Sequence, residues 1–287
     1  MMQLGVVRRW VVAMAIVAAV PAAAALAQQR PLVTEDPETI GEGRILIEMG
    51  ADWLRDTSFP VSGLRGDLFA GPRMGISVGI GKIAELQIDG GFYQRLRITE
   101  RTMAPLTPTL TFEGDETATY EDVTIGTKIR LMGEGPGRPA LGFRFATKLP
   151  NVSNETGLGY DTTDFFASLL VAKTVESFRV VGNAGVAVIS DPAEGARQDD
   201  LLSAGLSIAR AVTSSTEVVG EFNGRVYLGA SDAAVGSENS GVMRFGGRYT
   251  RGTVRLDVGV ILGMTSRDPQ IGFTTGFTWV FNAFSLP

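Results

Sequence analysis

Ile271-Gly272-Phe273-Thr274-Thr275-Gly276-Phe277-Thr278-Trp279-Val280-Phe281 lies close to the C-terminus of the chain. From Phe273, every second residue is Phe, Thr, Phe, Trp, Phe. The residues between are Thr274, Gly276, Thr278 and Val280. A period of two belongs to a β-strand, because successive side chains leave its two faces alternately. One face here is apolar and aromatic; the other is small or polar.

Working back from this stretch, the same alternation recurs. It is clearest at Tyr120–Leu131, where Val123, Ile125, Ile129 and Leu131 alternate with Asp122, Thr124, Gly126, Lys128 and Arg130. Counted from the N-terminal side, strands are expected at 44–53, 67–80, 83–98, 120–131, 140–149, 162–174, 178–189, 200–210, 217–228, 240–249, 253–264 and 271–281. Each holds ten residues or more. Globular strands average about five or six residues, whereas a tilted membrane-crossing strand needs about nine to eleven. Segment 162–174 is apolar on both faces, so its facing is left open. The connections alternate in length: Gly81-Lys82 and Thr250-Arg251-Gly252 are short, whereas 54–66, 99–119 and 150–161 are long. Short turns on one side and long loops on the other are the pattern of an outer-membrane barrel.

The expected fold is therefore all-β: a transmembrane antiparallel up-and-down β-barrel of about twelve strands, spanning residues 44–287. Closure follows from the solvent, since an unpaired N–H or C=O in hydrocarbon costs several kcal/mol and an open sheet has two such edges. An even strand number brings the C-terminus back beside the N-terminus, and both are expected on the periplasmic side of a Gram-negative outer membrane. Phe277, Trp279 and Phe281 are expected to carry the signal read by the barrel-assembly machinery. Outward Val, Ile, Leu and Phe are expected to meet the outer-membrane lipids.

The front of the chain reads as a leader. Arg8 and Arg9 precede the apolar run Val11–Val20, and Ala25-Leu26-Ala27 is a small-x-small cleavage site. The run is too short to span a bilayer comfortably as a helix. Loss of residues 1–27 with Arg8 and Arg9 takes the formal charge from −5 to −7. A mildly acidic chain argues against a nucleic-acid partner. The chain has no Cys and no His. That composition excludes disulfides, thiolate or imidazole metal sites and His-based catalysis. No catalytic residue, metal or cofactor is expected, and the protein is not read as an enzyme.

Charges of both signs fall on the inward faces. The residues expected to line the lumen are Glu48, Asp89, Arg95, Arg97, Asp122, Lys128, Arg130, Arg144, Glu221, Arg225, Arg244, Arg248, Arg255 and Asp257. Two readings stay open. The charges form a slightly basic pore lining that screens solutes, or they form an ion-pair network that fills a modest barrel. Inward glycines are expected to make room for the long side chains opposite. The loop 99–119 either folds inward as a constriction or stays plainly exposed.

Residues 28–43 precede the first strand as a periplasmic lead-in, expected to be a tether with solvated acids. Pro31, Pro37, Gly41 and Gly43 preclude regular structure there. The segment Arg30-Pro31-Leu32-Val33-Thr34-Glu35-Asp36-Pro37-Glu38-Thr39-Ile40-Gly41-Glu42-Gly43, followed by an alternating strand, resembles the start of the bacterial outer-membrane "MetA-pathway of phenol degradation" transporter family. The motif covers about residues 30–50. The resemblance implies a passive outer-membrane channel or transporter for small solutes, hydrophobic or aromatic ones included. The alternatives are a structural or adhesion barrel with a plugged lumen and, more remotely, an outer-membrane hydrolase.

Overall fold

The computed structural model describes residues 30–195, 197–229 and 232–284. The expected leader, residues 1–27, lies outside the described residues, as does the extreme C-terminus. Fourteen strand segments form one antiparallel sheet: β1 (Arg44–Phe59), β2 (Leu64–Gly79), β3 (Ala84–Gly91), β4 (Gln94–Arg101), β5 (Glu116–Thr119), β6 (Thr124–Met132), β7 (Ala140–Lys148), β8 (Asp164–Val175), β9 (Phe178–Ser190), β10 (Gln198–Ala211), β11 (Thr216–Tyr227), β12 (Ser240–Arg251), β13 (Val254–Gly263) and β14 (Ile271–Asn282).

These segments make twelve staves. β2 pairs with both β3 and β4, which are two halves of one interrupted stave. β5 and β6 are likewise two halves of the next, pairing with β4 and β3 respectively. Every other stave pairs with its neighbours in sequence. The ring closes where β1 meets β14, from Arg44 opposite Asn282 to Arg55 opposite Ile271. The stretch that opened the sequence reading is thus hydrogen-bonded on both edges, to β1 and to β13.

Alternation sets the two faces. Phe145, Leu169, Leu206, Phe245, Val258 and Phe273 stand exposed on the outside. Their strand neighbours Ala146, Leu170, Ser207, Asp257 and Thr274 are buried inside. The doubly apolar sixth segment is resolved by register. Phe165, Leu169 and Val171 face out, while Leu170 and Ala172 face in, and Ala172 packs with Ala140 and Val181. An outer belt of exposed apolar groups on a ring without free edges is a surface built for lipid.

The pairing shifts register at several places in the wall, and one of these shifts reverses a face that matters for the lumen. A bulge in the β1–β2 pairing lies between Gly50 and Asp52, opposite Gly71-Pro72, and the β3–β4 break falls at Phe92-Tyr93 beside it. A one-residue slip moves a strand's side chains to the opposite face. Beyond it Leu68, Leu96 and Ile98 face inward, in line with Leu54 of β1, and cluster with Leu64 and Leu158. Leu110 and Phe112 pack against that cluster.

At the long-loop end the connections fold across the mouth. Val61 is fully buried, and its carbonyl accepts from the Leu106 N–H at 2.9 Å. The Ser62 hydroxyl donates to the Gly157 carbonyl at 2.7 Å, and the Thr111 N–H donates to the Glu155 carbonyl at 3.1 Å. The loop 99–119 is therefore packed over the opening, which decides between the two expectations for it.

Candidate functional site: the strapped lumen

The lead-in is the feature that the lumen is built around. Residues 30–43 run as an irregular strap inside the ring. Leu32, Thr34, Glu35, Thr39 and Ile40 are each buried to below a tenth of their surface. The expectation of a tether with solvated acids is corrected: all three strap acids nearest the wall are paired. Glu35 lies 3.3 Å from Lys128 Nζ and 3.0 Å from Arg144 Nε. Asp36 accepts from Nε and Nη2 of Arg179, one oxygen to each. Glu38 accepts from Arg130 Nη1 at 2.7 Å. A lone buried carboxylate carries a heavy desolvation cost, so such groups are stable only when matched by cations and donors.

The backbone of the strap is satisfied in the same way. Val33 and Thr34 donate their N–H groups to Glu221, and Ile40 donates to Glu85 at 2.7 Å. Asn183 grips Glu35 twice, accepting from its N–H at 2.7 Å and donating to its carbonyl at 2.8 Å. At the far end Arg30 donates to Thr274 Oγ1 at 2.9 Å and sits 3.8 Å from Asp52. Because a strap without secondary structure leaves its own donors unpaired, the wall must supply the acceptors.

Some inward glycines make room for wall side chains, as Gly75 does for Asp89 and Gly126 for Arg144, but others mark the track of the strap. A Cβ on Gly142 would lie 2.9 Å from Pro37, one on Gly205 would lie 2.9 Å from Thr34, and one on Gly246 would lie 3.0 Å from Pro31. Gly50 and Gly276 leave the same room for Arg30, and Gly79 for the Gly41 carbonyl.

Most residues expected to line the lumen meet the strap, the loops or one another. Lys128 is fully buried between Glu35 and Glu85, the latter at 3.0 Å. Arg144 also donates to Gln87 at 2.7 Å and has Asp89 at 3.9 Å. Arg130 holds the strap through Glu38, and Glu221 joins the strap to Arg244 at 3.1 Å. Glu48 accepts from Thr278 at 3.2 Å. Arg248 and Arg255 share Glu217, at 3.8 and 3.6 Å, and Asp257 faces Arg30 at 3.7 Å. Arg225 donates to the Gly236 carbonyl at 3.1 Å, beneath the loops, and Asp122 pairs with Lys148 at 3.3 Å.

Arg95 and Arg97 are the corrections. They alternate with the buried Leu96 and Ile98 and so lie on the outer side, Arg95 facing Glu116 at 3.7 Å. The pleat slip at Phe92-Tyr93 reversed them, and simple alternation carried across that break misplaces both. The sequence reading also left out Arg30, Glu35, Asp36 and Glu38 as lumen groups. The signal was present in the run of acids and prolines, but periodicity says nothing about a segment without a period.

Beside the strap, against β7 to β11, a cavity of about 190 Å³ remains. Glu35, Arg144, Phe166, Ser168, Asn183 and Asn223 are among its walls. No group of three or more acidic side chains is placed to hold a metal ion among the described residues.

Among solved structures, the chain is similar to an outer membrane channel from Pseudomonas putida F1, with a TM-score of 0.59 at 13% identity over 86% of this chain and 98% of that one. It is similar to the NanC porin at a TM-score of 0.48 and 10% identity, over 84% of this chain and 100% of that one. The CymD monoaromatic hydrocarbon channel matches with a TM-score of 0.47 at 11% identity, over 87% and 91%. No family model and no curated protein matches the chain. The first likeness agrees with the register in the fold it implies: this is a closed twelve-stranded antiparallel β-barrel.

Proposed function

We propose that the protein is a passive outer-membrane channel for small solutes, its lumen narrowed by the lead-in strap. The observation that carries this reading is the cavity of mixed polar and apolar walls left beside the strap inside a closed ring. A barrel serving only as a scaffold has no need of an uncharged, partly hydrated face such as Ser168, Asn183 and Asn223. Phe166 adds an apolar wall to the cavity, which suits aromatic solutes and agrees with the family resemblance of residues 30–50. No catalytic step is assigned. The long loops face outward from the cell, both chain ends face the periplasm, and Phe277, Trp279 and Phe281 present the strand that the assembly machinery reads.

The second reading is a plugged structural barrel. It is favoured by the ion pairs of Glu35, Asp36 and Glu38, which tie the strap to three walls, and by the loops packed over the mouth. Single-channel recording of the refolded barrel in a planar bilayer separates the two. Steady conductance from the intact chain supports the channel. A barrel that stays silent both intact and after deletion of residues 30–41, while still folded on a detergent gel, would leave the plugged reading standing.

A further inference from the structure

The strap carries a carboxylate into a cavity whose walls hold one other charged group, Arg144. Glu35 Oε1 meets Arg144 Nε at 3.0 Å, and Oε2 meets Lys128 Nζ at 3.3 Å and Gln87 Nε2 at 3.4 Å. Lys128 is already balanced by Glu85 at 3.0 Å. Arg144 is held more loosely on its far side, with Asp89 at 3.9 Å from Nη2, while its Nε donates to Gln87 Oε1 at 2.7 Å. Glu35 thus sits between two cations, Lys128 and Arg144, and of the two only Arg144 faces the cavity.

We propose that Arg144, Gln87 and the adjoining cavity form a binding site for a small organic carboxylate, and that Glu35 is its built-in occupant. This deepens the channel reading and rests on it for the solute's passage. Three observations converge. The guanidinium, fixed in place because its Nε donates to the Gln87 carbonyl oxygen at 2.7 Å, offers a carboxylate charge-assisted donors, and the Gln87 amide N–H now reaching Glu35 adds a neutral one. The cavity, at about 190 Å³, exceeds the roughly 150 Å³ that accommodates a benzene ring. Phe166 supplies a ring face on one side, while Ser168, Asn183 and Asn223 supply neutral polar groups on the other. The ligand class is thus an acid no larger than one ring with one carboxylate. A neutral analogue gains nothing from Arg144.

Asn183 and Glu221 hold the strap by its backbone, so shortening the Glu35 side chain should empty the carboxylate position without releasing the strap. The test is calorimetric titration of benzoate, with benzyl alcohol as the neutral control, into the full-length folded barrel in detergent. Glu35→Ala is expected to bind benzoate at least tenfold more tightly than the unaltered chain. Adding Arg144→Met should abolish that gain, and benzyl alcohol should bind equally weakly to all three. Glu35→Gln serves as a second variant of near-identical shape should the alanine variant fail to fold. Benzoate binding that does not rise in either Glu35 variant, or that benzyl alcohol matches, overturns the site. Since the readout needs no bilayer, benzoate binding by a barrel silent in recordings would sink the channel and keep the site. Conductance without binding would do the reverse.

Discussion

Lys128 shows what a single residue does in this lumen. It has no exposed surface and two carboxylates within 3.3 Å, Glu35 from the strap and Glu85 from the wall. Removing one member of a buried ion group strands the charges that remain, at about 3–5 kcal/mol. Lys128→Met is therefore expected to lower folding stability by about that amount, measured by urea unfolding in lipid vesicles. Adding Glu35→Gln and Glu85→Gln should recover most of the loss. Glu35 itself has a depressed pKa. Burial alone would raise it, but the charges of Lys128 and Arg144, with hydrogen bonds from Gln87 and Lys128, outweigh that and hold it below the ordinary 4.5. A depressed carboxylate stabilises the docked state at every pH above its undocked value and loses that contribution as pH falls through the docked value. The Glu35 contribution to strap docking should weaken only as pH falls below about 4.5. A spin label at Val33→Cys would report this, free of background because the chain contains no other cysteine. Loosening already at pH 6 would contradict it.

At the scale of the element, the strap is the part without a period and the part that sets the lumen. Its stability is borrowed: hydrogen bonds and charges come from β3, β6, β7, β9 and β11, and space comes from glycines on the wall. Filling that space should expel it. Gly205→Leu places a side chain where Thr34 now sits, so the Val33 label should become mobile while the barrel keeps its heat-modifiable gel migration. Deleting residues 30–41 should raise single-channel conductance severalfold over the intact chain. An unchanged conductance would mean that the loops over the mouth limit passage. Those loops are an element of their own, held by the buried Val61, Val152 and Leu158 and by bonds between loops that are distant in sequence.

For the whole molecule the governing fact is closure. Twelve staves leave no unpaired edge, so the outer face needs only apolar side chains and the inner face can be polar throughout. The two faces should respond oppositely to one charge. Val258, halfway along β13 and well exposed outside, should tolerate arginine poorly, at a cost of about 2–4 kcal/mol in vesicle unfolding. Ser203, on the inner wall of β10, should accept it with little loss, because the arginine enters a hydrated lumen and not lipid.

Strand number, strand position and the facing of most strands could be read from the residues alone, because each stave is a local object. In β14, the alternation of Phe273, Trp279 and their apolar neighbours with Thr274 and Thr278 states which side is wet without reference to any partner. Arg95 and Arg97 were misread because a phase slip at Phe92-Tyr93 belongs to the pairing between strands, not to either strand's composition. The strap was beyond reach for a stronger reason. Glu35 looks like any solvated loop acid until Lys128, Arg144, Gln87 and Asn183, far apart along the chain, are brought around it. Local periodicity therefore determined the wall. Only the closed tertiary structure, by gathering charges from many staves about one unpatterned segment, decided what the wall encloses.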